Sequence, residues 1–294
     1  MQVVPPKDLF ASGLIWSPDS TKLAISYSRI GVQSSSLFQI YVLDIHSGKM
    51  NLLEESNDGW RSVSAWLPDD RIAFYANEDL QEGTWLTQAE GGGSKTLIVE
   101  DFAASWTPDG QKIAYWKSDQ DEQSMNTASI FIRDLMSGDE QQVFSLQEKH
   151  IVQGVLQWSA DESRLLFTLG TSATSRDEAF RNVNIYILEL ATGNTSRLTQ
   201  EGYYGYVSWS LDQKLIAYTY QNEPSSQSPE ALYVMRSDGT CPVRIIESQN
   251  ERFGGVSWSP DGRWIAFAWD RGVYLLDTSQ RVEIGVLKNG STCP

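Results

Sequence analysis

The chain has 294 residues and a formal net charge of −15, from 23 basic and 38 acidic side chains. With no basic run, that balance argues against nucleic acid as a partner, because phosphate backbones are held by basic surfaces. Hydrophobic content of 40%, with 11 Trp and 12 Tyr, supplies a large core. No run of about 18 apolar residues is present, so no membrane span is expected.

From its first residue the chain reads as follows. Met1–Pro6 lacks the charged and apolar regions of a signal peptide, so the protein is cytosolic or the sequence starts after processing. A Trp-Ser-Pro-Asp unit then opens at Trp16 and recurs, with changes, at Trp66, Trp106, Trp158, Trp209 and Trp258. The last copy is the clearest, Ser257-Trp258-Ser259-Pro260-Asp261-Gly262, followed by Trp264-Ile265-Ala266-Phe267. It predicts a strand ending at Trp, a tight turn, then a second strand. Pro presets φ, Asp bonds the backbone ahead of it and Gly accepts a positive φ. The Trp residues are 50, 40, 52, 51 and 49 positions apart, a period that points to a stacked or radial repeat.

The second strands carry a small residue at Ala24, Ala73, Ala114, Ala217 and Ala266, with Leu166 as the exception. A larger apolar residue follows each, so one sheet face is small and the other large. The third strands carry Tyr41, Trp85, Phe131, Tyr186, Tyr233 and Tyr274. Asp44, Asp134, Glu189 and Asp277 lie three residues further on and are expected to bond the turn backbone. Fourth strands are predicted at 50–54, 95–99, 141–146, 195–199, 242–247 and 281–287. Val3-Val4 is too short a pattern to assign, although an outer strand there is one option.

The Trp-Ser-Pro-Asp-Gly units, the Ile-Ala-Phe-type strands and the aromatic-x-x-Asp turns together resemble the TolB-like propeller repeat, also called the PD40 or WD40-like repeat. The resemblance spans residues 13–287. It implies an all-β fold, a six-bladed β-propeller with four antiparallel strands per blade, in a single domain over residues 1–294. TolB itself has an additional N-terminal α/β domain, and propeller peptidases add a hydrolase domain. This sequence reads as the propeller alone.

Chemistry is sparse. His46 falls in a turn, and His150 falls between repeats with no Gly-x-Ser-x-Gly elbow to build a triad. Two His and two Cys far apart make no metal site. Gly91-Gly92-Gly93 reads as a hairpin turn rather than a phosphate loop. Cys241 and Cys293 either pair in an exported protein or stay two inert thiols. No catalytic residue, metal or cofactor is assigned.

In a four-stranded meander, alternate connections share an end. The long second-to-third connections, 29–37, 118–127, 171–182 and 221–229, therefore share a face with the between-repeat loops. Those loops carry Trp60, Arg61, His150, Tyr203, Tyr204, Arg252 and Phe253, the residue types of binding hot spots. The leading expectation is a non-catalytic binding or scaffolding propeller that uses this face. Its partner is another protein or a carbohydrate or peptide ligand. A bacterial, periplasmic or extracellular setting is favoured over the cytoplasm. The alternatives are a carbohydrate- or peptide-active enzyme with a carboxylate-based site at the central channel, and a structural spacer. Segment 171–182, Ser/Thr-rich at its start, is expected to be the most mobile.

Overall fold

The computed structural model describes all residues except 1, 4–8, 30–36, 58–59, 79–80, 101–104, 121–124, 225–227, 250, 271, 282–283, 285–286, 288–292 and 294. The strands begin with β1 (Gln2–Val3), β2 (Phe10–Trp16), β3 (Lys22–Arg29), β4 (Leu37–Asp44) and β5 (Met50–Ser56). Then come β6 (Arg61–Trp66), β7 (Arg71–Glu78), β8 (Gln81–Gln88) and β9 (Thr96–Val99). The next four are β10 (Ser105–Trp106), β11 (Lys112–Gln120), β12 (Asn126–Asp134) and β13 (Glu140–Glu148). They are followed by β14 (His150–Trp158), β15 (Arg164–Ser172), the helix α1 (Arg176–Arg181), β16 (Asn182–Glu189) and β17 (Thr195–Arg197). The last are β18 (Gly202–Trp209), β19 (Leu215–Gln221), β20 (Glu230–Arg236), β21 (Val243–Ser248), β22 (Phe253–Trp258), β23 (Trp264–Trp269) and β24 (Gly272–Asp277).

The chain divides into two compact units, Met1–Ala103 with Phe253–Gln280, and Ala104–Arg252 with Arg281–Pro294. The first holds three four-stranded sheets, β2-β3-β4-β5, β6-β7-β8-β9 and β1-β24-β23-β22. Leu23 and Ile25 pack with Trp16, Ala266 and Leu275 in one cluster, whereas Ala24 joins Trp66, Ile72 and Phe74 in another. Adjacent residues of β3 thus serve opposite faces, one large and one small, as the repeat predicts.

The second unit holds the sheet β10-β11-β12-β13 and a larger sheet built from two meanders, β14 to β17 and β18 to β21. The meanders join because β18 pairs in parallel with β16, Asn182 opposite Gly202 and Val183 opposite Tyr203. The expected strand 195–199 shortens to β17. Its continuation bonds through a side chain instead: the Ile185 N–H donates to Thr199 Oγ1 at 3.0 Å, and that hydroxyl donates to Asn184 Oδ1 at 3.1 Å. Cys241 and Cys293 form a disulfide with Cα atoms 5.2 Å apart, which resolves the choice left open by the sequence.

The repeat chemistry is visible in detail. The six named Trp residues end β2, β6, β10, β14, β18 and β22, and all are buried. Asp19, Asp109, Asp161, Asp212 and Asp261 each accept from the hydroxyl two residues earlier and from a backbone N–H two residues later. In every repeat the next turn bonds back onto this one, as in Ile45 N–H to Thr21 O at 3.0 Å and Leu190 N–H to Ser163 O at 3.0 Å. These bonds place both short turns of a meander at one end.

A further element differs from expectation. The described residues of segment 281–287 do not supply the fourth strand of the last sheet; Ile284 and Leu287 are helical and buried. The fourth strand is β1, antiparallel to β24, with Gln2 opposite Tyr274 and Val3 opposite Val273. An unpaired β24 would present a bare row of N–H and C=O groups, and the N-terminal strand covers them.

Candidate ligand-binding site

A cavity of about 550 Å³ opens within the second unit, inside the usual size range of ligand pockets. Its walls come from the beginnings of β12, β14 and β18, the end of β11, and α1. Backbone bulges shape it. The β14–β15 register shifts between Gln153 and Leu156, and the β18–β19 register between Tyr204 and Val207. At the first bulge the Val155 N–H donates to Thr168 Oγ1 at 3.0 Å; at the second the Tyr206 N–H donates to Thr219 Oγ1 at 3.1 Å. Only glycine fits the first, since a Cβ on Gly154 would lie 2.0 Å from Thr168 Oγ1. Such bulges re-aim the side chains before them. Here those are His150 to Gln153 and Tyr203 to Tyr204.

Gln153 accepts from the Ser118 hydroxyl at 3.0 Å through Oε1, while its Nε2 is buried and has no acceptor among the described residues. Ser175 caps α1 by accepting the Glu178 N–H at 3.2 Å. The helix buries Ala179 with Val152 and Val183, and Tyr203 packs against them. It presents Arg176 and Phe180 to the cavity, the guanidinium 5.6 Å from the ring centre. Burial, with Tyr203 and Glu230 nearby, pushes the Tyr206 phenol up to about 12. Burial pushes Tyr204 up to about 12 as well, with Tyr220 adding to it. Both are neutral hydroxyl donors at ordinary pH. No carboxylate stands among the described lining residues. Glu230, behind Tyr203, is buried and faces the Arg252 guanidinium at 3.7 Å.

Of the seven residues singled out from the sequence, His150, Tyr203 and Tyr204 line this cavity together. None of the three sits in a loop; they lie at the starts of β14 and β18. Arg252 acts as the partner of Glu230. Trp60 is 47% exposed in the first unit, edge-on to Tyr75 at 5.7 Å. Arg61 and Phe253 are only 4% exposed, because each begins an inward-packed strand; Phe253 stacks on Trp269 at 6.3 Å. Neither offers the exposed contact expected of it.

Sequence reasoning missed Gln153, Arg176, Phe180 and Tyr206. One signal was available. Ser175-Arg176-Asp177-Glu178 has the Ser-x-x-Glu form that opens a helix. Segment 171–182, expected to be the most mobile, therefore carries a capped helix. The acids expected to bond turns do so at Asp44, Asp134 and Asp277. Among the described residues no cluster of three or more His, Cys, Asp or Glu is placed to hold a metal ion. Likewise no described helix is long and apolar enough to cross a membrane.

Meanders repeated with the same turn chemistry, together with the solved structures they superpose on, give the chain a β-propeller fold. More particularly, the propeller is TolB-like. A TolB-type protein from Agrobacterium tumefaciens superposes with a TM-score of 0.63 at 16% identity, covering 91% of each chain. TolB from Acinetobacter baumannii gives 0.62 at 17% identity; the match covers 93% of this chain and 65% of that one. Oligogalacturonate lyase from Vibrio parahaemolyticus gives 0.55 at 12% identity over 95% and 96% of the two chains. Likeness at such identities is likeness of fold. No protein-family profile and no curated protein sequence matches the chain.

Proposed function

We propose that this chain is a non-catalytic binding protein, one six-bladed propeller domain whose partner docks at the cavity of the second unit. The six-fold sequence repeat and the TolB-like fold support the blade count. The observation that carries the binding role is the convergence of His150, Tyr203 and Tyr204 on one cavity. Aromatic residues in a partly buried concavity are the usual anchors of recognition. The partner is a protein segment or a small ligand. The disulfide supports a location outside the cytoplasm, where such bonds persist, and a periplasmic or extracellular setting agrees with it.

The test is affinity capture from the source's own extract, followed by titration of the purified partner. Tyr203→Ala and His150→Ala are compared with Met136→Ala, an exposed residue in a short turn of another meander. Loss of about 2 kcal/mol or more at Tyr203, with Met136→Ala unchanged, supports the assignment. Equal affinity in all folded variants overturns it. An enzyme acting on carbohydrate or peptide is the competing reading. It predicts chemical turnover of the captured ligand and needs a carboxylate pair that the described lining lacks.

A further inference from the structure

We propose that the cavity recognises a small carboxylate carried on a ring, with Arg176 as the residue that selects the charge. The inference rests on the cavity being the binding site. The chain carries a net charge of −15, yet the described wall holds a guanidinium and an imidazole and no carboxylate. Arg176 is exposed at the cavity and makes no ion pair with a described residue. A planar guanidinium matches the two oxygens of a carboxylate.

A second feature asks for the same chemistry. Asn126 and His150 line the same cavity and carry N–H donors of their own. Tyr206 lines the cavity too and adds a phenol hydroxyl, a group that can donate. Donors of this kind call for an acceptor-rich ligand. One Arg and a few neutral donors suit a single negative charge better than a phosphate dianion. Phe180, beneath the Arg176 guanidinium, and Tyr203 offer ring faces on which a flat or sugar ring can lie.

The test uses two matched pairs of probes on the intact, oxidised chain: phenylacetate with phenylacetamide, and glucuronate with glucose. Binding is measured by calorimetric titration. The expected result is at least tenfold tighter binding of an acid than of its neutral counterpart. Arg176→Gln removes that preference and Arg181→Gln, on the same helix but outside the cavity lining, keeps it. The pair that responds tells whether the ring is aromatic or a sugar. Equal binding of acid and neutral probe, or a preference that survives Arg176→Gln, overturns the carboxylate assignment and leaves the cavity as a binding site. Absence of binding by all four compounds also overturns it. The binding-site reading falls separately, when Tyr203→Ala and His150→Ala leave partner affinity unchanged.

Discussion

Tight turns decide much at the scale of single residues. The residue after the turn Asp sits in the left-handed region, at Gly110 (φ 73°) and Gly262 (φ 71°) but also at Ser20 (61°), Asp70 (63°), Glu162 (58°) and Gln213 (58°). A side chain there costs about 1–2 kcal/mol. Each non-glycine has a partner that offsets the cost. Ser20 Oγ accepts the Asp261 N–H at 2.9 Å, Asp70 accepts the Trp66 indole at 2.8 Å, Glu162 faces Lys112 at 3.5 Å and Gln213 accepts from Arg164. Titration is decided at the same scale. Tyr204 and Tyr206 ionise near 12 in the folded chain, against about 10 when unfolded. Their stabilising contribution is therefore complete below about pH 10 and is lost as pH rises through about 12. A titration of phenolate absorbance is expected to show these groups lagging the exposed tyrosines. Tyr206→Phe should shrink the late phase; an unchanged late phase contradicts the assignment.

Bulges and cross-strand pairs act at the scale of the element. Second- and third-strand aromatics stand opposite one another as Phe167 with Tyr186, Tyr218 with Tyr233 and Phe267 with Tyr274, stacked at 5.4, 5.5 and 5.5 Å. Such pairs add to sheet stability beyond simple burial. The bulge in β18 depends on Thr219, fully buried, whose hydroxyl accepts the Tyr206 N–H. Thr219→Val keeps the shape and deletes the acceptor, leaving that N–H unpaired. A loss of about 1–3 kcal/mol is expected in urea unfolding. Hydrogen exchange at Tyr206 should accelerate relative to Trp209, whose N–H bonds Gln157. A neutral result would mean that β18 bends for another reason.

For the molecule as a whole, the chain ends carry unusual weight. The N-terminal β1 completes a sheet otherwise made of the last strands. Within the second unit, the C-terminal segment is tied down through Arg281, which donates to Ile245 O at 3.4 Å, and through the Cys241–Cys293 disulfide, 52 residues apart. Cross-linking a loop of that length restricts the unfolded chain. Replacing both cysteines by serine should lower stability by about 2–4 kcal/mol in an oxidising buffer. Reductant should bring the wild-type chain to the same midpoint and leave the double variant unmoved. A wild-type midpoint insensitive to reductant would contradict the disulfide's contribution.

What the sequence determined by itself was local and repeated. The Trp-Ser-Pro-Asp turns, the Ala rows of the second strands and the acids of the third-to-fourth turns depend on neighbours a few residues away. Six copies made that signal legible. What only the tertiary structure decided was non-local. Two residues, Gln2 and Val3, carry too little pattern to announce a strand, and β24 across the chain selects them. Phe253 and Trp60 look alike as loop aromatics, yet packing against Trp269 buries one and leaves the other 47% exposed. The cavity is a third case. Gln153, Arg176 and Tyr206 lie on three separate elements, and each is unremarkable in its own segment. Two bulges and a six-residue helix bring them together, because side-chain convergence is a property of how strands are aimed in space rather than of spacing along the chain.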